Sequence, residues 1–288
     1  MPIKIGFWLL LALLAFAGNS IFARLALAPG AMDPYTFTLI RLFAASLVLG
    51  LLLSAKPRAW ANLRSSIAPT ATLALFVYAL GFSLAYVSLS TGAGALILFG
   101  LVQLTMLAIK WYRGHRSSVF ELAGVALAIL GLIYLMLPSA EIPSSMTAAV
   151  LMALAGMAWG VYSVLGAGAT QPLQQTAVNF IATIPLQGLI LLWLFYNGSQ
   201  WDSSSVVWAV LSGAVTSALG YAIWYRVLPH LALSSAAVAQ LSVPLLAAFG
   251  GALFSAEPLT LRFAIAAGLI LGGIYLVIRF QQLPAQQR

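Results

Sequence analysis

Residues Ile129–Leu137 read ILGLIYLML, and residues Ile270–Ile278 read ILGGIYLVI. Six of the nine letters agree, and the two stretches lie 141 positions apart in a chain of 288. Other pairs fall into line at the same shift: Ala17 with Ala158, Gly131 with Gly272, Tyr134 with Tyr275. One unit is therefore used twice, and the fold follows from what that unit is.

Each stretch is the end of a long apolar run, and the whole chain is made of such runs. Hydrophobic residues are 62% of it, charged residues 6%, and the mean hydropathy is +1.03. A soluble domain carries about 25% charged residues, so lipid must be the solvent for most of this surface. A helix needs roughly 20 apolar residues to cross the hydrocarbon. Ten runs qualify, at 4–24, 34–54, 70–90, 93–112, 119–138, 146–166, 174–196, 206–226, 233–254 and 260–280. Turn-forming stretches separate them, among them APGAMDP, STGAG, PSAEIPSS and YNGSQWDSSS. The runs do not alternate apolar with polar residues, which excludes a β-barrel. Helices are the remaining structure whose backbone bonds close within each segment. The N-terminal MPIKIGFWLLLALLAFAGNS has a signal-like start but lacks a convincing small-x-small cleavage site followed by a soluble domain, and it reads as the first span.

The expected fold is thus an all-α integral membrane protein with ten transmembrane helices in a 5+5 inverted-topology repeat. Five is odd, so a second copy must start on the side where the first ends. The expected units are residues 1–138 and 146–288, joined by a periplasmic linker at 139–145. With the N-terminus in the cytoplasm, ten cations fall on that side: Lys4, Lys56, Arg58, Arg64, Lys110, Arg113, Arg116, Arg226, Arg279 and Arg288. Arg24 and Arg262 fall on the other, together with Asp33, Glu141, Asp202 and Glu257. That bias places both termini in the cytoplasm, and the expected location is the cell inner membrane.

Several phrases resemble the drug/metabolite transporter superfamily in its EamA-type branch. They are AWGVYSVL at Ala158–Leu165, ALSSAAVAQLSVPLLAAFGGALFSAEPLT at Ala232–Thr260 and AAGLILGGIYLVI at Ala266–Ile278, with AGNSIFARLA, IRLF and TGAGALILFGLVQLTMLA as a degenerate first copy. Short loops and dense aromatics are similar to the bacterial aromatic amino-acid exporters of that superfamily. The resemblance implies that the fifth and tenth spans are peripheral, making the repeated phrase scaffold. It implies a central cavity lined by the first, third, fourth, sixth, eighth and ninth spans. One departure is Gln103, which stands where the second half has Pro244.

The candidate cavity residues are Asn19, Tyr78, Phe82, Phe99, Gln103, Trp159, Tyr162, Tyr221, Trp224 and Gln240. Tyr78, Phe82 and Tyr86 recur every four residues and share a helix face. That face is either a cavity wall or ordinary packing, and Tyr86 is near enough to an end to sit in an interfacial belt. Asn19 serves either a helix–helix hydrogen bond or the cavity, since an unbonded amide at membrane depth costs several kcal/mol. Pro244 frees a backbone carbonyl and is read as a gating kink or a structural one; Pro185 is read as structural. Gly131, Gly272 and Gly273 are expected to let helices approach closely. Arg41, the cation inside a span, either snorkels or caps helix carbonyls, or contacts a substrate carboxylate.

Other chemistries lack parts. The chain has no cysteine, and its histidines, His115 and His230, fall at the cytoplasmic rim. No metal site or general acid–base pair is expected at membrane depth, and no cofactor. Nucleotide-linked substrates would need several cavity cations. The expected function is a secondary transporter, not an enzyme, exporting small organic solutes, foremost aromatic or apolar amino acids, by alternating access. Export of lipophilic drugs or metabolites, or a nontransporting scaffold, stay open as alternatives. The expected partners are an amino-acid substrate and the lipid bilayer, with no nucleic acid and no required oligomer. Transport is expected to be facilitated, because no acid falls at mid-span and Asn19 cannot titrate.

Overall fold

The computed structural model describes residues 3–54, 68–114, 118–137, 145–167, 169–231 and 239–280. Among them there is no strand, and ten helical spans follow in order: α1 (Ile3–Leu27), α2 (Pro34–Ser54), α3 (Pro69–Tyr86), α4 (Thr91–Tyr112), α5 (Val119–Met136), α6 (Met146–Gly166), α7 (Pro172–Asn197), α8 (Ser203–His230), α9 (Ser242–Ser255) and α10 (Leu261–Phe280). Eight are long and apolar enough to cross a bilayer; α5 and α9 are shorter apolar helices. The upstream part of the expected ninth span, 233–238, lies outside the described residues, as do His115, Glu141 and all but Ser145 of the expected linker.

Packing follows the duplication. The tightest pair is α5 with α10, counterparts five places apart. Helix α6 packs on α3 and α4; correspondingly α1 packs on α8 and α9. Helix α4 meets its counterpart α9, and α2 meets α7. Glycines make the α5–α10 contact possible. A Cβ on Gly131 would stand 2.7 Å from Ile270 Cγ1, and one on Gly273 would stand 2.7 Å from the Ala128 nitrogen. Gly272, expected to serve the same end, faces open space: a Cβ there would meet nothing within 4 Å. Gly124 is the contact glycine instead, with Val277 Cγ2 at 3.0 Å.

Three elements depart from simple spans. STGAG is not a turn: Ser90 precedes α4, and Thr91–Gly94 form its first turn. Small residues are needed there because Gly92 meets Ala248 and Gly94 meets the Tyr86 ring, each at 2.6 Å from a would-be Cβ. Helix α7 breaks at Thr183, two residues before Pro185. The Thr183 hydroxyl donates to the Phe180 carbonyl at 2.6 Å and accepts from Gln187 Nε2 at 2.8 Å, and Ser46 Oγ donates to that same carbonyl at 3.0 Å. Helix α8 is π-helical over Ser212–Leu219, a wide turn of the kind found at functional sites.

The two ends of the bundle differ in charge. One end carries Lys4, Lys110, Arg113, Arg226 and Arg279, with the Arg226 guanidinium 5.3 Å from the Trp8 ring centre. At the other end, Arg24 pairs with Glu257 at 3.0 Å, Asp33 accepts the Gln200 amide at 3.0 Å, and Arg262 donates to the carbonyls of Tyr134, Leu135 and Leu137. There Asp202 caps α8, and hydrogen bonds from Ser205 and Ser204 hold its carboxyl below the usual range.

Candidate functional site

A cavity of about 360 Å³ runs from Asn19 and Tyr78, inside the bundle, to the turn after α6 at Ala167 and Ala169. It therefore opens toward the end that carries the α1 N-terminus. All ten candidate cavity residues line it: Asn19, Tyr78, Phe82, Phe99, Gln103, Trp159, Tyr162, Tyr221, Trp224 and Gln240. The helices α1, α3, α4, α6 and α8 bring nine of them together, with Gln240 just ahead of α9.

Trp159 is the hub of the aromatic wall. Its ring centre lies 4.7 Å from Tyr78, 5.0 Å from Tyr162 and 5.4 Å from Tyr221. Phe16 continues the wall, 5.8 Å from Tyr221 and 5.6 Å from Trp224. Rings at these separations and tilts stabilise one another and offer large, rigid apolar faces.

Two polar groups flank the aromatic wall. The first is centred on Asn19, 8% exposed, whose amide nitrogen donates to Tyr78 Oη at 3.2 Å. Its carbonyl oxygen accepts from Ser212 Oγ at 2.7 Å, with Thr216 Oγ1 3.4 Å away. The amide thus links α1, α3 and the π turn of α8 while also facing the cavity, so it serves both of its possible roles. The second group lies outside the ten candidates. Helix α7 contributes Gln175, Thr176 and Asn179: Thr176 Oγ1 donates to Tyr225 Oη at 3.3 Å, and Asn179 Nδ2 to Tyr162 Oη at 3.4 Å. Its signal is present in QPLQQTAVN, where one half of an otherwise apolar span is polar.

Arg41 does not snorkel. It is 2% exposed and stands behind the wall, its Nη2 donating to Tyr78 Oη at 2.9 Å. Its guanidinium carbon lies 5.2 Å from the Tyr78 ring centre and 4.6 Å from that of Phe82. Arg41 caps no helix carbonyl among the described residues and does not itself line the cavity. Tyr86 is no belt residue: it is fully buried, donating to the Thr91 carbonyl at 3.2 Å. Pro244 sits in the first turn of the described part of α9, where a missing N–H costs nothing, and it does not line the cavity. Its would-be partner is the carbonyl of Gln240, and the helix is interrupted at Leu241.

The end opposite the opening is shut. Glu257 Oε2 accepts the Thr91 amide at 2.8 Å, while Arg24 Nη1 donates to the carbonyls of Tyr86 and Val87 at 3.2 and 3.1 Å. The pair thus ties α1 and the α9–α10 loop to the ends of α3 and α4. A Cβ on Gly250 of α9 would clash with Ile21, and one on Gly251 would stand 2.8 Å from Thr91 Cβ, so α9 lies close against α1 and α4 there.

Paired five-helix sets around an amphipathic cavity, open at one end and tied at the other, define a membrane transporter. Residues 146–279 match the EamA-like transporter family. The chain is 46% identical to an uncharacterized protein of Pseudomonas aeruginosa, PA1977, over 93% of its own length and 92% of that protein's. It is 25% identical to an uncharacterized transporter of Archaeoglobus fulgidus over 94% of this chain and 98% of that one. A solved crystal structure 18% identical to it superposes with a TM-score of 0.63 over 96% of this chain and 99% of that one, which shows the shared fold. The chain belongs to the EamA-like transporter family.

Proposed function

We propose that this transporter exports small organic solutes, foremost amino acids with aromatic or apolar side chains, by alternating access between the two ends of the bundle. The observation that carries this is the cavity: aromatic walls around Trp159 that suit an apolar side chain, amide and hydroxyl groups at both ends of those walls, and one end closed by Arg24 and Glu257. Arg41, acting through the Tyr78 hydroxyl, is the contact for a carboxylate. Pro244 and the interruption at Leu241 serve the helix movement that opens the closed end. Both termini lie in the cytoplasm of a plasma membrane, residues 1–138 and 146–288 move as the two repeats, and the cavity in this structure faces inward.

Transport is facilitated and driven by the solute's own gradient, since no acid among the described residues lines the cavity. The test is uptake and efflux of labelled amino acids by purified protein in liposomes, with and without an imposed pH gradient. Downhill movement of phenylalanine, tryptophan or leucine without accumulation is expected. Accumulation that follows the proton gradient and collapses with a protonophore points instead to proton coupling, with Glu121 as the first group to replace. For sidedness, a Trp201→Cys variant in this cysteine-free chain is expected to label from outside intact cells; labelling from the cytoplasm alone reverses the topology.

A further inference from the structure

We infer that recognition at this cavity reads the carboxylate of the solute and not its amino group, so the substrate class is apolar and aromatic monocarboxylates, of which amino acids are one subset. The inference rests on the reading of the cavity as the transport site.

The argument starts with the hydrogen-bonding capacity of one hydroxyl. A tyrosine hydroxyl has one proton to donate and two lone pairs to accept with. The Tyr78 oxygen accepts from Asn19 Nδ2 at 3.2 Å and from Arg41 Nη2 at 2.9 Å. The Asn19 amide is held in that orientation because its oxygen accepts from the Ser212 hydroxyl at 2.7 Å. Both lone pairs of Tyr78 are therefore used. Its proton is what remains, with no acceptor among the described residues, on a side chain that lines the cavity. A donor with nothing to donate to calls for an acceptor from the solute.

Charge points the same way. Arg41 is permanently cationic and buried, and its Nε and Nη1 have no hydrogen-bond partner among the described residues. It is cushioned by the ring faces of Tyr78 and Phe82. A buried charge without a counter-ion is costly, and an anion brought close offsets part of that cost. A carboxylate bonded to the Tyr78 hydroxyl would sit one hydroxyl away from the guanidinium.

A solute ammonium finds no equivalent. Among the described residues no Asp or Glu lines the cavity. Asp33 and Asp202 cap helices at the closed end, Glu257 is paired with Arg24, and Glu121 lies in the first turn of α5, on the scaffold pair. Amide oxygens and ring faces are what remain for it, and a hydroxyl or keto group can use the same donors and acceptors. The α-amino group is thus dispensable, whereas the carboxylate's charge is required.

The experiment is calorimetric titration of the purified full-length protein with phenylalanine, 3-phenyllactate, phenylalanine methyl ester and phenethylamine, repeated with Tyr78→Phe and Arg41→Gln. Phenyllactate is expected to bind within about threefold of phenylalanine, and the ester and the amine at least about tenfold more weakly. Tyr78→Phe removes one oxygen and its proton, and is expected to bring both carboxylates down to the ester. Arg41→Gln is expected to act in the same direction; should it fail to fold, Tyr78→Phe decides alone. Binding of the ester or amine as tight as phenylalanine overturns the inference, as does a carboxylate preference that survives Tyr78→Phe. Phenylalanine binding without phenyllactate overturns it while leaving amino-acid transport standing. Phenyllactate binding without phenylalanine also overturns it, because the amino group is then read as an obstacle, and rejects amino-acid transport; binding of none of the four rejects both.

Discussion

Helices α5 and α10 carry nearly the same nine residues and pack on each other, Gly131 against Ile270 and Gly273 against Ala128. Helices α3 and α8 are counterparts too, but at the 141-residue shift Tyr78 falls on Leu219, Phe82 on Ile223 and Trp224 on Ser83. The first pair meets itself across a pseudo-two-fold axis, so a change in one copy must be answered in the other, and the same words persist. The second pair faces the cavity and is not bound by such a contact between copies. Each wall is then free to carry different rings at different heights. Helices α2 and α7 show the same divergence: α2 holds Arg41 behind the wall, while α7 breaks at Thr183 and brings Thr176 and Asn179 to the cavity. Similarity between the halves thus marks the packed scaffold pair, and difference marks the cavity wall.

The largest expected effect attacks the similar pair. Gly131→Leu must fit a branched side chain where even a Cβ would stand 2.7 Å from Ile270. Overpacking of this kind costs about 1–3 kcal/mol or more, so loss of monodisperse protein on gel filtration is expected. Gly272→Leu, on the same pair with open space around it, is expected to fold normally. Equal behaviour of the two variants breaks the comparison on the scaffold side.

Next comes the diverged wall. Trp159→Ala and Tyr78→Ala are each expected to lower liposome transport at least about tenfold while the protein stays folded, since both line the cavity and Trp159 holds three neighbouring rings. Tyr134→Ala, under the Arg262 guanidinium on the scaffold pair, is expected to transport as the parent does. Normal transport by the first two with loss in the third reverses the assignment. Asn179→Leu sharpens it at smaller scale: removal of one amide from the α7 wall is expected to slow transport severalfold, by roughly the 1 kcal/mol of a neutral hydrogen bond.

The smallest effect is expected at the closed end. Arg24 and Glu257 remain partly exposed, so their attraction is worth about 1 kcal/mol or less. Glu257→Gln is expected to change the transport rate by no more than about fivefold and to flatten its dependence on salt. An effect larger than that of Trp159→Ala would move the site from the cavity to the tie.

Ten spans and the double use of a unit are legible in the sequence because lipid forces length and composition on every crossing helix. The cavity residues are legible because rings and amides at membrane depth are few enough to weigh singly. Other features are hidden for particular reasons. Arg41 reads as an interfacial cation because its depth in α2 says nothing of the rings of α3 that cover it. Tyr86 reads as a belt residue because the cover that α4 gives to the end of α3 is a tertiary fact. The glycines of STGAG signal a turn by composition, but here they serve close contact with Ala248 and Tyr86 inside a helix. The polar stretch of α7 is in plain view, yet the apolar span around it masks its role.

The π turn of α8 has a consequence for movement. Along Ser212–Leu219 the backbone is wound one residue wider than an α-helix, and Thr216 and Ser217 both return hydrogen bonds to the Ser212 carbonyl, at 2.7 and 2.9 Å. Tyr221, Trp224 and Tyr225 follow directly. A register change of one residue in such a turn amounts to about 100° of rotation and about 1.5 Å of travel for everything beyond it. Tightening this one turn would therefore swing the three rings together, like a key in a cylinder, exchanging one face of α8 for another while its far end at Asp202 stays capped in place.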